Sequence, residues 1–211
     1  MQRRIFVPLA LALLASAGSA QIVRFNALVE KVAPDPCTGL EFQVESSDVL
    51  LQSGLVHLAD SAGSIVLLKG PLQPPGACPS TSVFVEVAEP PTATLEVCGT
   101  AALGCPLRFR IGPPTVSVNM LALSTQPQGF LPLLDPLGVS FLTPPLIVVG
   151  SAGPGGILDV TVPSGAPVGI EVTFQALHQD VGPILGPGWV SNPIRRQIVV
   201  AFTCQDPTAC F

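Results

Sequence analysis

The stretch Gly169-Ile170-Glu171-Val172-Thr173-Phe174-Gln175-Ala176-Leu177-His178 sets apolar Ile170, Val172, Phe174 and Ala176 at every second position. Period two is the mark of a strand with one face on a core and the other wet. The pattern therefore assigns those four residues to a core and turns Glu171, Thr173 and Gln175 to solvent or a strand edge. Neighbouring stretches repeat it. Leu107, Phe109 and Ile111 oppose Arg108 and Arg110, and Ile157 to Val162 alternates around Asp159 and Thr161. Val116–Leu123, Leu146–Val149 and a closing Gln197–Thr203 complete a set of short strands. Strands spaced every ~8–12 residues predict a two-sheet β-sandwich over 106–211.

Upstream, residues 21–97 read as a second β unit. Val23, Phe25 and Ala27 alternate with Ile22, Arg24, Asn26 and Leu28, and Leu40, Phe42 and Val44 with Glu41, Gln43 and Glu45. Asp48–Leu51, Leu55–Leu58, Ile65–Lys69, Ser82–Ala88 and Thr92–Val97 are further strand candidates. So many short strands in ~75 residues suit a small barrel. Their order, with the run Ile65-Val66-Leu67-Leu68-Lys69-Gly70, a long loop and then Val83, Val85 and Val87, resembles bacterial OB-like domains. Residues 98–105, bounded by Cys98 and Cys105, form the junction. The fold class predicted is all-β: an OB-like barrel followed by a β-sandwich, disulfide-bonded.

The chain opens as an export signal. Arg3 and Arg4 precede the apolar run Ile5–Ala15, and small residues Ser16-Ala17-Gly18-Ser19-Ala20 follow. That is the n-region, h-region and cleavage site of a signal peptide spanning 1–20. Cleavage is expected after Ala20, with Ala17 as the second choice. Arg3-Arg4 also faintly resembles a twin-arginine signal. Phe130–Val149 is strongly apolar too. Asp135 and prolines at Pro132, Pro136, Pro144 and Pro145 make it unfit to satisfy its own backbone in lipid. No transmembrane segment is expected after the signal.

Composition narrows the class further. The net charge is -5, 48% of residues are hydrophobic and only 11% are charged. Removing Arg3 and Arg4 with the signal makes the mature chain more acidic still. Nucleic-acid binding depends on phosphate neutralisation and stacking aromatics. The barrel segment offers Arg24, Lys31, Lys69 and three phenylalanines, so no nucleic-acid partner is expected. The 24 prolines and 20 glycines forbid long helices.

The six cysteines are Cys37, Cys78, Cys98, Cys105, Cys204 and Cys210. In an exported chain an even count predicts disulfides. Proximity along the chain suggests Cys98–Cys105 and Cys204–Cys210, leaving Cys37–Cys78 as the long-range bond. No Cys-x-x-Cys pair or nearby histidine favours metal.

One resemblance is more specific. Leu158-Asp159-Val160-Thr161-Val162-Pro163, Gly169-Ile170, Thr173-Phe174-Gln175-Ala176-Leu177 with Asp180, then Ser191-Asn192 and a last apolar strand form an ordered series. It resembles the C-terminal module of exported proteins of unknown function from planctomycete-type bacteria. The match is close over about half of the second segment. It departs at Thr203–Phe211, where this chain adds two cysteines. The resemblance implies export and a β-rich module, and it carries no activity.

Chemistry is sparse. His57 and His178 sit at predicted strand ends, and no Gly-x-Ser-x-Gly elbow exists to hold a nucleophile. Gly150–Gly156 lacks the lysine of a phosphate loop and reads as a hairpin connection. Glu41, Glu45, Asp48, Glu86, Glu96, Asp159, Glu171 and Asp180 are glycosidase-type carboxylate candidates, although most lie on wet strand faces. Asp35, Asp206 and the Asp180 loop are weak calcium candidates. Trp189, the single tryptophan, follows the Gly/Pro loop 182–188 and is either a sandwich plug or a ligand contact. No catalytic residue, cofactor or metal is assigned. The expectation is a non-catalytic protein, secreted or in the cell envelope, with a structural, adhesive or surface-binding role toward a cell-surface glycan or protein. The alternatives are a secreted polysaccharide hydrolase and a glycan- or ligand-binding module.

Overall fold

A computed structural model describes residues 21–74, 77–112, 117–133, 137–152, 156–180, 188–201 and 203–208. The expected signal peptide over residues 1–20 with its expected cleavage site, Asp135, Cys210 and residues 182–187 of the loop before Trp189 lie outside them. The chain is all-β, and among the described residues the only helical element is a 3-10 turn, Leu58–Ser61.

The first sheet contains β1 (Ile22–Lys31), β2 (Phe42–Val44), β3 (Leu50–Ser53), β4 (Ile65–Pro71), β5 (Ser82–Val85) and β6 (Val87–Glu89), in the order β5-β3-β2-β1-β4-β6. The central strand β1 turns Val23, Phe25, Ala27 and Val29 inward, all buried, as its alternation requires. It pairs antiparallel with β2 and β4, aligning Val29 with Val44 and Phe25 with Leu68. β3 and β5 run parallel. β5 then returns to β4: Glu86 N–H donates to Lys69 O at 3.0 Å, and Leu72 bridges Val83. The sheet is thus nearly closed into a barrel. A Cβ on Gly70 would lie 1.8 Å from Phe84 O, so only glycine permits this closure. Leu55, expected within a strand, is 88% exposed and lies outside the sheet.

The second half is a sandwich. One sheet holds β7 (Thr94–Cys98), β8 (Pro106–Gly112) and β13 (Ile157–Thr161), ordered β13-β8-β7. The facing sheet holds β9 (Ser117–Ser124), β12 (Ile147–Ala152), β14 (Glu171–Asp180), β15 (Gly188–Val190) and β16 (Ile194–Gln197), with β14 central. Leu107, Phe109 and Ile111 face Leu121, Val172, Phe174 and Ala176 across the gap. The Phe109 and Phe174 ring centroids are 5.0 Å apart. The core face read from the Gly169–His178 alternation is therefore the observed one.

The two units exchange segments. The stretch Thr92–Val97, expected as the last barrel strand, instead forms β7, which pairs with β8 and sends Leu95 and Val97 into the sandwich core. β7 and β8 are hairpin partners across the 99–105 turn, and alternation names a face without naming a partner. Conversely, the hairpin β10 (Leu131–Pro132) and β11 (Val139–Ser140) returns to the barrel. Phe130, Val139 and Phe141 pack on the barrel core, where Phe25, Phe130 and Phe141 form an edge-to-face trio with centroids 5.6–5.9 Å apart. The apolar stretch 130–149 thus supplies core to both units. The closing strand also differs: it is Ile194–Gln197, and Val199 makes only a parallel bridge to Ala102.

Disulfides staple the fold. Cys37–Cys78 joins two loops of the barrel as expected. Cys105 pairs with Cys204, overturning both short-range pairings. The cause is local backbone pairing: Val199 N–H donates to Ala101 O and Leu103 N–H to Val199 O, which lays the C-terminal tail along the 99–105 turn. Cys98 is also disulfide-bonded.

Candidate functional site

Polar side chains at the seam between the units are spent on holding it. Asn26, 2% exposed, donates to Val190 O and accepts from Thr92 N–H, both at 2.9 Å. Asn192 brackets Leu95, accepting its N–H at 2.8 Å and donating to its carbonyl at 3.1 Å. Gln175 does not face solvent. It is buried, accepting Phe141 N–H and donating to Val139 O and Ser191 O. The outer face of β14 is covered by the 139–142 segment and by Ser191, so alternation located that face and missed its cover.

His178 is likewise buried, not solvated at a strand end. Its Nδ1 lies 2.6 Å from Asn119 Oδ1, and its ring lies under Trp189, its cross-strand partner, with centroids 5.7 Å apart. A neutral amide in the place of a triad carboxylate, beneath an indole, suits a packed polar core better than a general base. Trp189 is half-buried on β15. His57 precedes the 3-10 turn and makes no side-chain cap.

Several candidate carboxylates are engaged separately. Asp159 takes two hydrogen bonds from Arg108, at 2.7 and 2.9 Å, which hold its carboxyl below the ordinary Asp value. Glu171 pairs with Arg195 and Glu41 with Lys31 at 3.7 and 3.6 Å. Asp35 and Asp206 close turns by accepting from Thr38 and Thr208, and those bonds lower both carboxyls. No group of three metal-type ligands exists among the described residues. The glycine-rich segment does not close a hairpin: β12 ends in one sheet and β13 begins in the other, with Gly153–Gly155 outside the described residues.

Two clefts bring charged residues together. One, about 360 Å³, holds Glu45, Glu96 and Arg196 between barrel and sandwich. Burial pushes the Glu45 carboxyl above the ordinary Glu value, Arg196 opposes that shift and Glu30 adds to it. The other, about 560 Å³, lies on the outer face of β1, β4 and β6, walled by Pro132, Leu133 and Gly138 near the β10–β11 hairpin. Arg24 and Lys69 are direct cross-strand partners there, with Glu89 also in the lining. Neither cation has an ion-pair partner among the described residues, unlike Lys31, Arg108 and Arg195. In the sequence, Arg24 and Lys69 stand apart as isolated cations of the barrel segment. Their adjacency depends on the β1–β4 register, with 45 residues' distance in sequence hiding it. The disulfides are consistent with an oxidising, extracellular setting. No helix of the described residues is long and apolar enough to cross a membrane. Compared with known proteins, the chain matches no family model, no curated protein and no solved structure.

Proposed function

We propose that this is an exported, non-catalytic binding module that attaches to an anionic group of a cell-surface glycan through the Arg24–Lys69 cleft. The observation carrying this reading is a pair of adjacent cations, with no ion-pair partner among the described residues, in a cleft of about 560 Å³ on an otherwise acidic chain. Like charges side by side cost energy that a bound anion recovers, and a walled cleft focuses their field. The n-region and apolar run of residues 1–20 support export, as does the resemblance to exported planctomycete-type modules. The strand order, the parallel β3–β5 pair and the 3-10 turn between β3 and β4 support an OB-like barrel, a scaffold that often holds oligosaccharides. Polygalacturonate and neutral dextran provide the test. The first should bind, more weakly as salt rises, and the second should not. An Arg24→Ala/Lys69→Ala variant should keep its melting temperature and lose the binding. Equal binding of both polymers, or an unaffected variant, rejects the reading.

The second reading is a polysaccharide hydrolase, favoured by Glu45 and Glu96 lining one cleft with Glu45 held toward its acid form. Release of reducing ends from a polysaccharide panel, lost in Glu45→Gln, would establish it in place of the first.

A further inference from the structure

The sandwich core does not close along the side where β12 and β13, the edge strands of the two sheets, lie beside each other without hydrogen-bonding. A cavity of about 220 Å³ opens there between the sheets. Phe109 and Phe174 line it, Val149 and Val160 come from the two edge strands, and Ala166 and Ile170 come from the turn before β14. Five aliphatic side chains that pack on the core, Leu123, Val149, Leu158, Val160 and Ile170, stay only partly buried on this side. The wall presents apolar atoms only, and no charged residue lines it.

We infer that this cavity is a binding site for one small uncharged aromatic ring, which can meet the Phe109 and Phe174 rings in its wall. Water entering it finds no hydrogen-bond partner, and engineered apolar cavities of about 150 Å³ stay dry and take benzene. A hydrocarbon group gains by leaving water and supplies the dispersion contacts that the facing side chains lack. A charged head is excluded by the same wall, because a carboxylate drawn in would lose its hydration with no cation to receive it. The site is independent of the Arg24–Lys69 cleft, which lies on the barrel.

Methyl NMR of the full chain with benzene as the probe tests this, with hexanoate as the charged control. Benzene should shift the methyls of Leu107, Val160 and Ile170 saturably and raise the melting temperature. Hexanoate at equal concentration should leave those methyls unmoved. Val160→Phe and, separately, Ala166→Phe should fill the cavity and abolish the benzene shifts. Either variant that keeps a dispersed folded spectrum suffices. Unsaturable shifts in the parent, hexanoate binding as well as benzene, or benzene binding retained in a folded filled variant would each overturn the assignment.

Discussion

Gln175 Oε1 accepts the backbone N–H of Phe141 at 2.9 Å, tying the central sandwich strand to a residue whose ring lies in the barrel core. The same amide donates to Val139 O and Ser191 O at 3.1 and 2.8 Å. Gln175→Leu keeps the volume and removes all three bonds. Buried groups left without partners cost about 1–3 kcal/mol each, so with three such groups the variant should lose at least roughly 3 kcal/mol. Denaturant titration measures it, and a loss under about 0.5 kcal/mol, the scale of ordinary surface changes, would mean the clamp is not formed.

Because Phe130, Val139 and Phe141 serve the barrel while β7 serves the sandwich, the units should not unfold separately. Tryptophan fluorescence follows the sandwich and far-ultraviolet dichroism the whole chain. The two should give coincident urea transitions. Two resolved midpoints would show that the exchanged segments do not couple the units.

Phe174 sits at the centre of the sandwich against Phe109. Phe174→Ala should cost about 3–5 kcal/mol through lost transfer and a residual cavity. A variant as stable as the parent would place this strand in the wrong register.

Peptide mapping without reduction should recover linked fragments containing Cys37–Cys78 and Cys105–Cys204, with no free thiol on titration under denaturant. Cys105–Cys204 spans 99 residues, which by loop entropy corresponds to about 4.7 kcal/mol. The Cys105→Ser/Cys204→Ser pair should melt far below the parent. Recovery of a Cys98–Cys105 or Cys204–Cys210 fragment instead would restore the short-range pairing.

What was legible in the sequence follows from what a period can encode. Alternation places Val172 and Phe174 inside and fixes the all-β class, because it reports which face meets a core. It does not report what lies over the opposite face, so Gln175 and His178 read as wet when other segments cover them. Nor does it name strand partners. β7 joined the sandwich through a hairpin turn, and Arg24 met Lys69 through a register set by the whole β1–β4 pair. The cysteines failed for a related reason. Nearness along the chain measures the closure of a small loop, whereas Cys204 reaches Cys105 because backbone bonds at Val199 carry the tail there.

Glu45 gives a pH signature. Burial raises its carboxyl in the folded state, so above the ordinary Glu value the unfolded chain has released a proton that the folded chain still holds. Stability then falls as pH rises through that window, and the deficit persists at neutral pH. Glu45→Gln mimics the protonated form and should be more stable than the parent at pH 7. That advantage should vanish below the ordinary Glu value, where both carboxyls are protonated. Equal stability at pH 7 would mean that Arg196 cancels the burial effect.

Trp189 decides between plug and contact residue. It is half-buried, lies opposite His178 in the β14–β15 register, and shields a histidine that is 1% exposed. Removing the indole uncovers that ring together with its hydrogen bond to Asn119. Trp189→Ala should therefore cost about 2 kcal/mol, combining partial apolar burial with the lost ring contact. A residue used only for binding would leave the melting temperature unchanged. As the sole tryptophan, it also reports on itself: its emission should be shifted toward the blue in the folded chain and move to the red on unfolding. Folded emission already at the fully solvated position, together with an unchanged melting temperature in Trp189→Ala, would reject the plug and leave Trp189 free to meet a ligand.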